Sequence, residues 1–283
     1  PPTPTQLCYR RQRQMCIRDR DGPESLVKGE IYNIVWKAPD GSSVRIDLYQ
    51  NMTHVANIAD EISDAGNFNW LIPDIIPRGT DYRIQISDVN DPTLLAINKH
   101  AFQLLDPGIP STYVDPRDGQ PYSTVKLGEQ TWISENFKYD PGEGTFCYWN
   151  DTSFCETIGR LYTREAAIAS QPEGWHLPSD EEWSELELYL GMEPNELHIF
   201  GIRGHSIGNL LRINGGSGFN AIYSGYYNGC FGMFGHKSYE SHFLTSSRSK
   251  EGKPIIRVIG KEGGITRLES SCHMGSSVRY IKD

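Results

Sequence analysis

Apolar and polar residues alternate in short, evenly spaced runs through the first hundred residues. The runs occupy residues 31–36, 44–48, 68–72 and 82–86. In the second run, Val44, Ile46 and Leu48 alternate with charged residues, a period of two that predicts half-buried antiparallel strands. Turn-forming residues separate the runs at 39–41, 65–67 and 77–80. The pattern predicts a small all-β sandwich over residues 23–106, with Trp36 and Trp70 as core anchors.

A proline-rich segment follows this sandwich. The sequence Asp106-Pro-Gly-Ile-Pro110 contains two prolines, which cannot donate to a strand ladder. We therefore expect a linker at residues 107–111 and a second domain over residues 112–283.

The second domain mixes strand and helix signals, which predicts an α+β fold. Residues 122–127 and 130–133 are expected to form a hairpin, and residues 163–169 are expected to form a short alanine-rich helix. Ser179 and Glu182 have the spacing of a capping box at the start of a second helix. The apolar face of that helix comprises Trp183, Leu186 and Leu190, and Gly191 is placed to end it.

Length and charge narrow the functional classes. The chain has 283 residues, enough for two cores, and a formal net charge of -9. Nucleic-acid binders usually carry a basic patch, so we expect no nucleic-acid partner. No run of 18 apolar residues is present, so we expect no transmembrane segment.

Six cysteines are compatible with an oxidising compartment. Cys147 and Cys155 flank a short loop, and Cys230 and Cys272 lie in the irregular C-terminal part, so either pair could form a disulfide. Their spacing fits neither a zinc ribbon nor a CxxC motif, and we expect no metal and no cofactor. These features favour an exported, extracellular or cell-surface protein whose export signal is not visible.

Residues 1–22 are expected to be an unstructured or artefactual leader. The segment from Gln14 to Arg20 resembles translated read-through of a sequencing adapter, and the residues before Cys8 lack the small side chains of a lipoprotein site.

The motifs of the first domain resemble those of a known family. The order Gly29-Glu-Ile-Tyr-Asn-Ile-Val-Trp36, Phe68-Asn-Trp70 and Gly79-Thr-Asp-Tyr-Arg-Ile84 resembles the immunoglobulin-like domain of Kre9/Knh1-type cell-wall proteins. That resemblance implies an immunoglobulin-like sandwich that acts as a spacer or stalk.

The second domain resembles the Fibrobacter succinogenes major paralogous domain. The matching motifs are Gln130-Thr-Trp132, Gly159-Arg-Leu-Tyr-Thr163, Gly174-Trp-His-Leu-Pro-Ser179 and Ser277-Val-Arg279. The resemblance implies a C-type-lectin-like fold, in which two helices pack on antiparallel sheets and an irregular region bears the binding face. Some proteins with such domains are targets of diversity-generating retroelements, which vary surface residues near the C-terminus.

An aromatic segment at residues 223–242 is the candidate binding face. Tyrosine, glycine, serine and asparagine dominate it, a composition typical of antibody paratopes. Ordinary loop packing is the alternative interpretation. The candidate ligand-binding residues are Tyr226, Tyr227, Asn228, Phe231, Met233, Phe234, His236, Tyr239, Glu240 and His242, with Arg248 and His273 at the rim.

Two other kinds of site are less favoured by the sequence. Trp149-Asn-Asp151 and Glu193-Pro-Asn195 reproduce the calcium tripeptides of C-type lectins, but in the wrong order along the chain. Cys230 and Cys272 invite comparison with formylglycine-generating thiol oxidases, yet they sit in no matching motif. We therefore expect a non-catalytic protein that binds a protein or glycan ligand on another cell, phage or host surface. A thiol oxidase and a structural cell-envelope module are the alternatives.

Overall fold

A computed structural model describes residues 15–17, 25–39, 41–63, 66–270 and 274–283. The fold is mostly β, with 45% strand and 12% helix. Contacts within the chain divide it into two units, Pro1–Pro107 and Gly108–Asp283.

Two sheets make up the described part of the first unit. One has the strand order β1-β3-β6, and the other the order β2-β9-β7-β4-β5 with β8 beside β7. Trp36 and Trp70 are each 4% exposed in the core, which confirms them as core anchors. The strands are β1 Cys16–Ile17, β2 Ser25–Val27, β3 Ile31–Lys37, β4 Ser43–Gln50, β5 Thr53–Ser63, β6 Asn67–Leu71, β7 Gly79–Asp88, β8 Leu95–Ile97 and β9 Phe102–Leu105.

The sequence pattern missed β5, the longest strand of this unit. β5 lies at the sheet edge and pairs with β4 through several register shifts. Glu61 has a positive φ of 46°. Because each bulge reverses the side to which the following side chains point, the apolar residues of β5 do not alternate cleanly.

The prediction that residues 1–22 are unstructured is wrong for residues 15–17. Met15 is 4% exposed and belongs to the core, and Cys16 and Ile17 pair with Lys37 and Trp36 of β3. Apolar side chains within a basic segment can still be buried against a sheet, which charge alone does not indicate. The remainder of this leader lies outside the described residues.

The second unit combines short strands with four α-helices among its described residues. The helices are α1 Thr152–Ile158, α2 Arg164–Ala169, α3 Asp180–Tyr189 and α4 Ile207–Leu211, and Tyr148–Asn150 is a 3₁₀ turn. The strands are β10 Ile109–Val114, β11 Pro121–Leu127, β12 Gln130–Ile133, β13 Thr145–Phe146, β14 Leu161–Tyr162, β15 Trp175–His176, β16 Gly201–Arg203, β17 Tyr226–Asn228, β18 Met233–Gly235, β19 Glu240–Arg248, β20 Pro254–Gly260, β21 Ile265–Glu269, β22 Met274–Gly275 and β23 Ile281–Lys282.

A five-stranded sheet of order β10-β11-β12-β23-β15 joins the start and end of this unit. The β11–β12 pairing confirms the predicted hairpin. The linker expected at residues 107–111 is wrong in its last three residues, because Ile109–Val114 is a strand in which Pro110 pairs with Val125. Proline is tolerated there because β10 is an edge strand.

Both predicted helices are present, and the second has its predicted capping box. The Thr163 hydroxyl accepts from the Ala166 amide, and Ser179 and Glu182 form the reciprocal capping box. Helices α1 and α4 were missed because segments of seven and five residues give too few turns for a helical period to be evident.

A buried ion network attaches α3 to the four-stranded sheet of order β16-β21-β20-β19. Asp180 pairs with Arg257 at 2.6 Å and with Arg267 at 2.7 Å. Glu187 pairs with the same Arg257 at 2.7 Å and with Arg203 at 2.9 Å. All five side chains are buried, so the network fixes the helix at one position on the sheet.

Candidate functional site

The aromatic segment folds as a hairpin of β17 and β18. Tyr226 pairs with Gly235, Tyr227 with Phe234 and Asn228 with Met233, and β22 pairs along the other side of β17. The Asn228 side chain accepts from the Cys230 amide at 3.0 Å, and its carbonyl accepts from the Gly232 amide at 2.8 Å. Asn228 therefore shapes the turn, while the residues of the turn project from it.

A second segment lies against this hairpin. A disulfide joins Cys147 to Cys155 across the 3₁₀ turn Tyr148–Asn150 and the first half of α1. The Asp151 carboxylate accepts from the Ser153 amide at 2.9 Å and starts α1. Disulfide and cap together restrict the loop that carries Tyr148 and Trp149.

Ring contacts join the two segments into one surface, which we call the aromatic face. Phe146 stacks on Tyr227 with ring centroids 4.1 Å apart, and Tyr148 lies 5.2 Å from Phe234. Tyr227 and Phe234 are themselves 5.0 Å apart. The aromatic face comprises Phe146, Tyr148, Trp149, Phe154, Tyr226, Tyr227, Phe231, Met233 and Phe234.

Large apolar side chains remain exposed on the aromatic face. Trp149 is 69% exposed, Phe231 75% and Met233 63%, whereas Tyr148 is buried. Trp149 also has a left-handed φ of 55°. Non-glycine residues seldom adopt this conformation, and such strain clusters at functional sites.

Two histidines and one carboxylate lie beside the aromatic face. Glu240 Oε1 is 2.6 Å from His236 Nδ1 and 2.8 Å from His242 Nε2. The bond to His242 and that to His236 outweigh burial and lower the pKa of Glu240. Tyr226 packs on both imidazoles, with centroid distances of 5.3 Å to His236 and 4.5 Å to His242. The ionised carboxylate thus fixes the side of the hairpin that faces β19.

Lysines contact rings near the aromatic face. Lys237 Nζ lies 3.9 Å from the centroid of Phe154 and 5.9 Å from that of Tyr148. Lys261 Nζ lies 4.5 Å from the ring of Tyr239. Cation–π contacts of this kind orient rings and leave a positive charge next to an apolar surface.

The structure brings most of the predicted binding residues together. Phe231, Met233, His236 and Tyr239 are exposed, and Tyr226, Tyr227, Asn228, Phe234 and Glu240 are half-buried. Cys230 is disulfide-bonded in the turn of the hairpin. His273 and Cys272 lie outside the described residues.

Two of the predicted contact residues are placed differently. His242 is 6% exposed, so it supports Glu240 and Tyr226 from below instead of contacting a ligand. Arg248 lies at the far end of β19, about 26 Å along the strand from Glu240. It donates to the Gly252 carbonyl at 2.7 Å and is not at the rim of the aromatic face. Because an extended strand separates its two ends, Arg248 is close to Glu240 in sequence but distant from it in space.

Sequence reasoning missed the half of the aromatic face that lies between β13 and the end of α1. Phe146, Tyr148, Trp149 and Phe154 lie about 80 residues before the hairpin. The signal that could have found them is a dense aromatic run enclosed by two nearby cysteines.

Both calcium tripeptides take part in local hydrogen bonds. Asp151 caps a helix, and the Glu193 carbonyl accepts from the Glu196 amide in a turn at 2.9 Å. Within the described ranges, no group of three or more His, Cys, Asp or Glu side chains is placed to hold a metal ion.

Comparisons with protein families match both units. A model of the Fibrobacter succinogenes major domain matches residues 125–282. A model of the Kre9/KNH-like N-terminal Ig-like domain matches residues 22–98. The helices in the described part of the chain all lack the length and apolarity needed to cross a membrane.

No curated protein matches the chain. Solved structures that match include the CARDB domain of a Pyrococcus furiosus protein in complex with di-metal ions, which is 17% identical with a TM-score of 0.20. That match covers 32% of this chain and 86% of the CARDB chain. A solution NMR structure of the same domain is also 17% identical, has a TM-score of 0.18, and is matched over 32% of this chain and 92% of its own.

Proposed function

Because this chain belongs to the Fibrobacter succinogenes major domain family, we propose that it is a non-catalytic ligand-binding protein displayed on a cell surface or secreted. Its domain types are those of a cell-surface or envelope module, with a Kre9/KNH-like Ig-like domain preceding the family domain. The aromatic face would contact the ligand, and the N-terminal domain would act as the stalk.

The exposure of the aromatic face carries this proposal. Trp149, Phe231 and Met233 each expose well over half of their surface, and the loop and the hairpin that carry them are joined by ring contacts. Contiguous apolar surface of this kind marks interaction sites on soluble domains. The disulfide and the ring stacking would keep the face in one conformation and so reduce the entropy lost on binding.

We assign the second unit to the C-type-lectin-like fold as part of the proposal. Its helices α2 and α3 accompany antiparallel sheets, and its first and last strands lie in one sheet. A long, irregular segment from Arg212 to Ser238 carries the hairpin of the aromatic face. In such a fold, the sheets hold the termini together while the irregular region is free to vary.

A more specific proposal is that a diversity-generating retroelement varies the residues of the aromatic face. Residues in the turn of the hairpin could change without loss of core packing, because Phe231 and Met233 point to solvent. Sequencing of the locus tests this form. A reverse transcriptase gene next to a near-copy of the codons for residues 220–275 would support it, and a complete locus without either would exclude it.

A binding experiment with matched variants tests the main proposal. Labelled protein is applied to a glycan microarray and to a panel of intact bacterial cells. The face variant replaces Trp149 with Ala and both Phe231 and Met233 with Ser. We expect its binding to be weaker by about tenfold or more, because exposed aromatic anchors contribute most of the affinity at such surfaces.

The control variant replaces three other exposed apolar residues of the same domain, Ile199, Ile202 and Ile213, with Ser. We expect it to bind like the wild type. Equal loss in both variants, or no binding by the wild type in either format, would count against the aromatic face and favour a structural envelope module. Oxygen consumption with a thiol substrate and added copper would instead favour the thiol oxidase.

A further inference from the structure

A groove of about 480 Å³ lies on the five-stranded sheet of the second unit and shares no residue with the aromatic face. Strand register explains its lining. Ile109 pairs with Lys126, Lys126 with Thr131, and Trp175 with Lys282. Since Trp132 pairs with Ile281, Lys282 lies beside Thr131. One row of side chains therefore crosses all five strands, with a lysine on each side of a threonine.

Hydroxyl groups fill the adjacent positions of the groove. Ser111 pairs with Thr124 in the next row, and Thr112 and Thr131 also line the groove. Thr124 is 4% exposed and also lines the groove, so its hydroxyl lies at the groove wall. Hydroxyl groups both donate and accept hydrogen bonds, as the hydroxyls of a sugar require of a binding site.

The charges of the groove are incompletely paired. In the described part of the chain, Lys126 has only the fully exposed Glu129, 3.6 Å away, as its partner. Over the same ranges, Lys282 and Glu173 have no ion-pair partner at all. A surface with two ammonium groups, several hydroxyls and one carboxylate acceptor offers ligands for an anion and for neighbouring hydroxyls together. Tyr113 and Trp175, whose rings are 5.0 Å apart, supply an apolar wall.

From this arrangement we propose that the groove binds an acidic saccharide. Lys126 and Lys282 hold its carboxylate or sulfate, Thr124 and Thr131 hydrogen-bond its ring oxygens, and Glu173 accepts from its hydroxyls. The volume lies within the range of small-molecule sites and accommodates a disaccharide.

Isothermal titration calorimetry on the full chain tests the proposal with four probes. Digalacturonate carries carboxylates, lactose 3′-sulfate carries a sulfate, the dimethyl ester of digalacturonate keeps the sugar rings without charge, and acetate is an anion without a sugar. We expect one or both acidic disaccharides to bind, and the ester and acetate to bind at least about tenfold more weakly. The acidic probe that binds identifies the anionic group.

Variants locate the binding. Lys126→Gln and Lys282→Gln should each weaken binding by about tenfold, and Thr124→Val should weaken it less. Lys250→Gln changes an exposed lysine outside the groove and should leave binding unchanged.

NMR shifts of the Thr131 and Lys282 amides on titration would place the ligand in the groove. No binding of either acidic disaccharide, equal binding of the ester or of acetate, or equal loss in the Lys250 variant would overturn the proposal. The aromatic-face variant should retain this binding, so the two proposals fail separately.

Discussion

Trp149 illustrates how far the position of a single residue depends on its surroundings. In the sequence it belongs to a Trp-Asn-Asp tripeptide that suggests calcium. In the structure, Asp151 is used as a helix cap, and Trp149 stands 69% exposed on a left-handed backbone. The tripeptide suggested calcium coordination by side-chain oxygens. In the structure the Asp151 carboxylate is used in the helix cap, and the exposed group is the Trp149 ring.

His176 is held between two carboxylates. Its Nδ1 lies 2.6 Å from Asp283, and its Nε2 lies 2.7 Å from Glu182. Burial lowers the pKa of His176, but the hydrogen bonds to Asp283 and Glu182 outweigh burial and raise it above the usual value. The charged imidazole therefore links β15 to the start of α3.

The raised pKa predicts a pH-dependent stability. A group whose pKa is raised by folding stabilises the folded state fully below its unfolded pKa, about 6.5 for histidine. That contribution is lost as the pH rises through the raised pKa of His176. We expect the melting temperature of wild type to exceed that of His176→Gln by about 2 °C below pH 6.5. The difference should disappear once the pH exceeds the raised pKa of His176. Circular dichroism melts at a series of pH values below and above this pKa measure the difference.

His205→Gln removes an exposed histidine of the same unit and serves as the control. Its melting temperature should follow that of wild type at every pH. A His176 difference that stays constant, or grows as the pH rises, would contradict the assignment.

Helix α3 shows what local sequence signals contain and what they omit. The capping box and the apolar face of Trp183 and Leu186 were predictable, because both depend on residues within one helix. The role of Asp180 was not predictable in this way, because the structure pairs it with Arg257 and Arg267, about 80 residues away. Arginines at the centre of apolar strands were the available clue.

The Cys147–Cys155 bridge stabilises the loop of the aromatic face. Replacing both cysteines with serine should lower the free energy of unfolding by about 2 kcal/mol, because the open loop gains conformational freedom in the unfolded chain. Urea denaturation followed by tryptophan fluorescence measures this loss. Hydrogen exchange should increase in residues 147–158.

Exchange in the β11–β12 hairpin provides the internal control and should stay slow. Equal acceleration in both regions would mean that the bridge supports the whole unit and not this loop.

The two units of the chain have separate cores. Buried residues from Met15 to Leu104 form one cluster, and those from Tyr122 to Tyr280 form another. Each cluster is large enough to stabilise its own domain.

We therefore expect residues 108–283 to fold when expressed alone. The fragment should melt cooperatively, keep the Cys147–Cys155 disulfide and bind the same cells or glycans as the full chain. Calorimetry measures the cooperative melting, and the binding assay measures the binding.

A fragment that begins at residue 122 lacks β10 and the start of β11. It should melt at a lower temperature, because it loses the edge of the five-stranded sheet. A 108–283 fragment without a cooperative transition would contradict the independence of the two cores.

The sequence alone determined the features that depend on neighbours a few residues apart. These are the alternating strands, the capping box of α3, the β11–β12 hairpin and the composition of the hairpin in the aromatic face. The family motifs extended this to the two domain types. Only the tertiary structure decided which distant segments meet: Phe146 with Tyr227, Asp180 with Arg257, and Trp132 with Ile281 across the sheet. Periodicity and capping are local properties of the chain, whereas these contacts depend on strand register and packing, which a linear pattern does not encode.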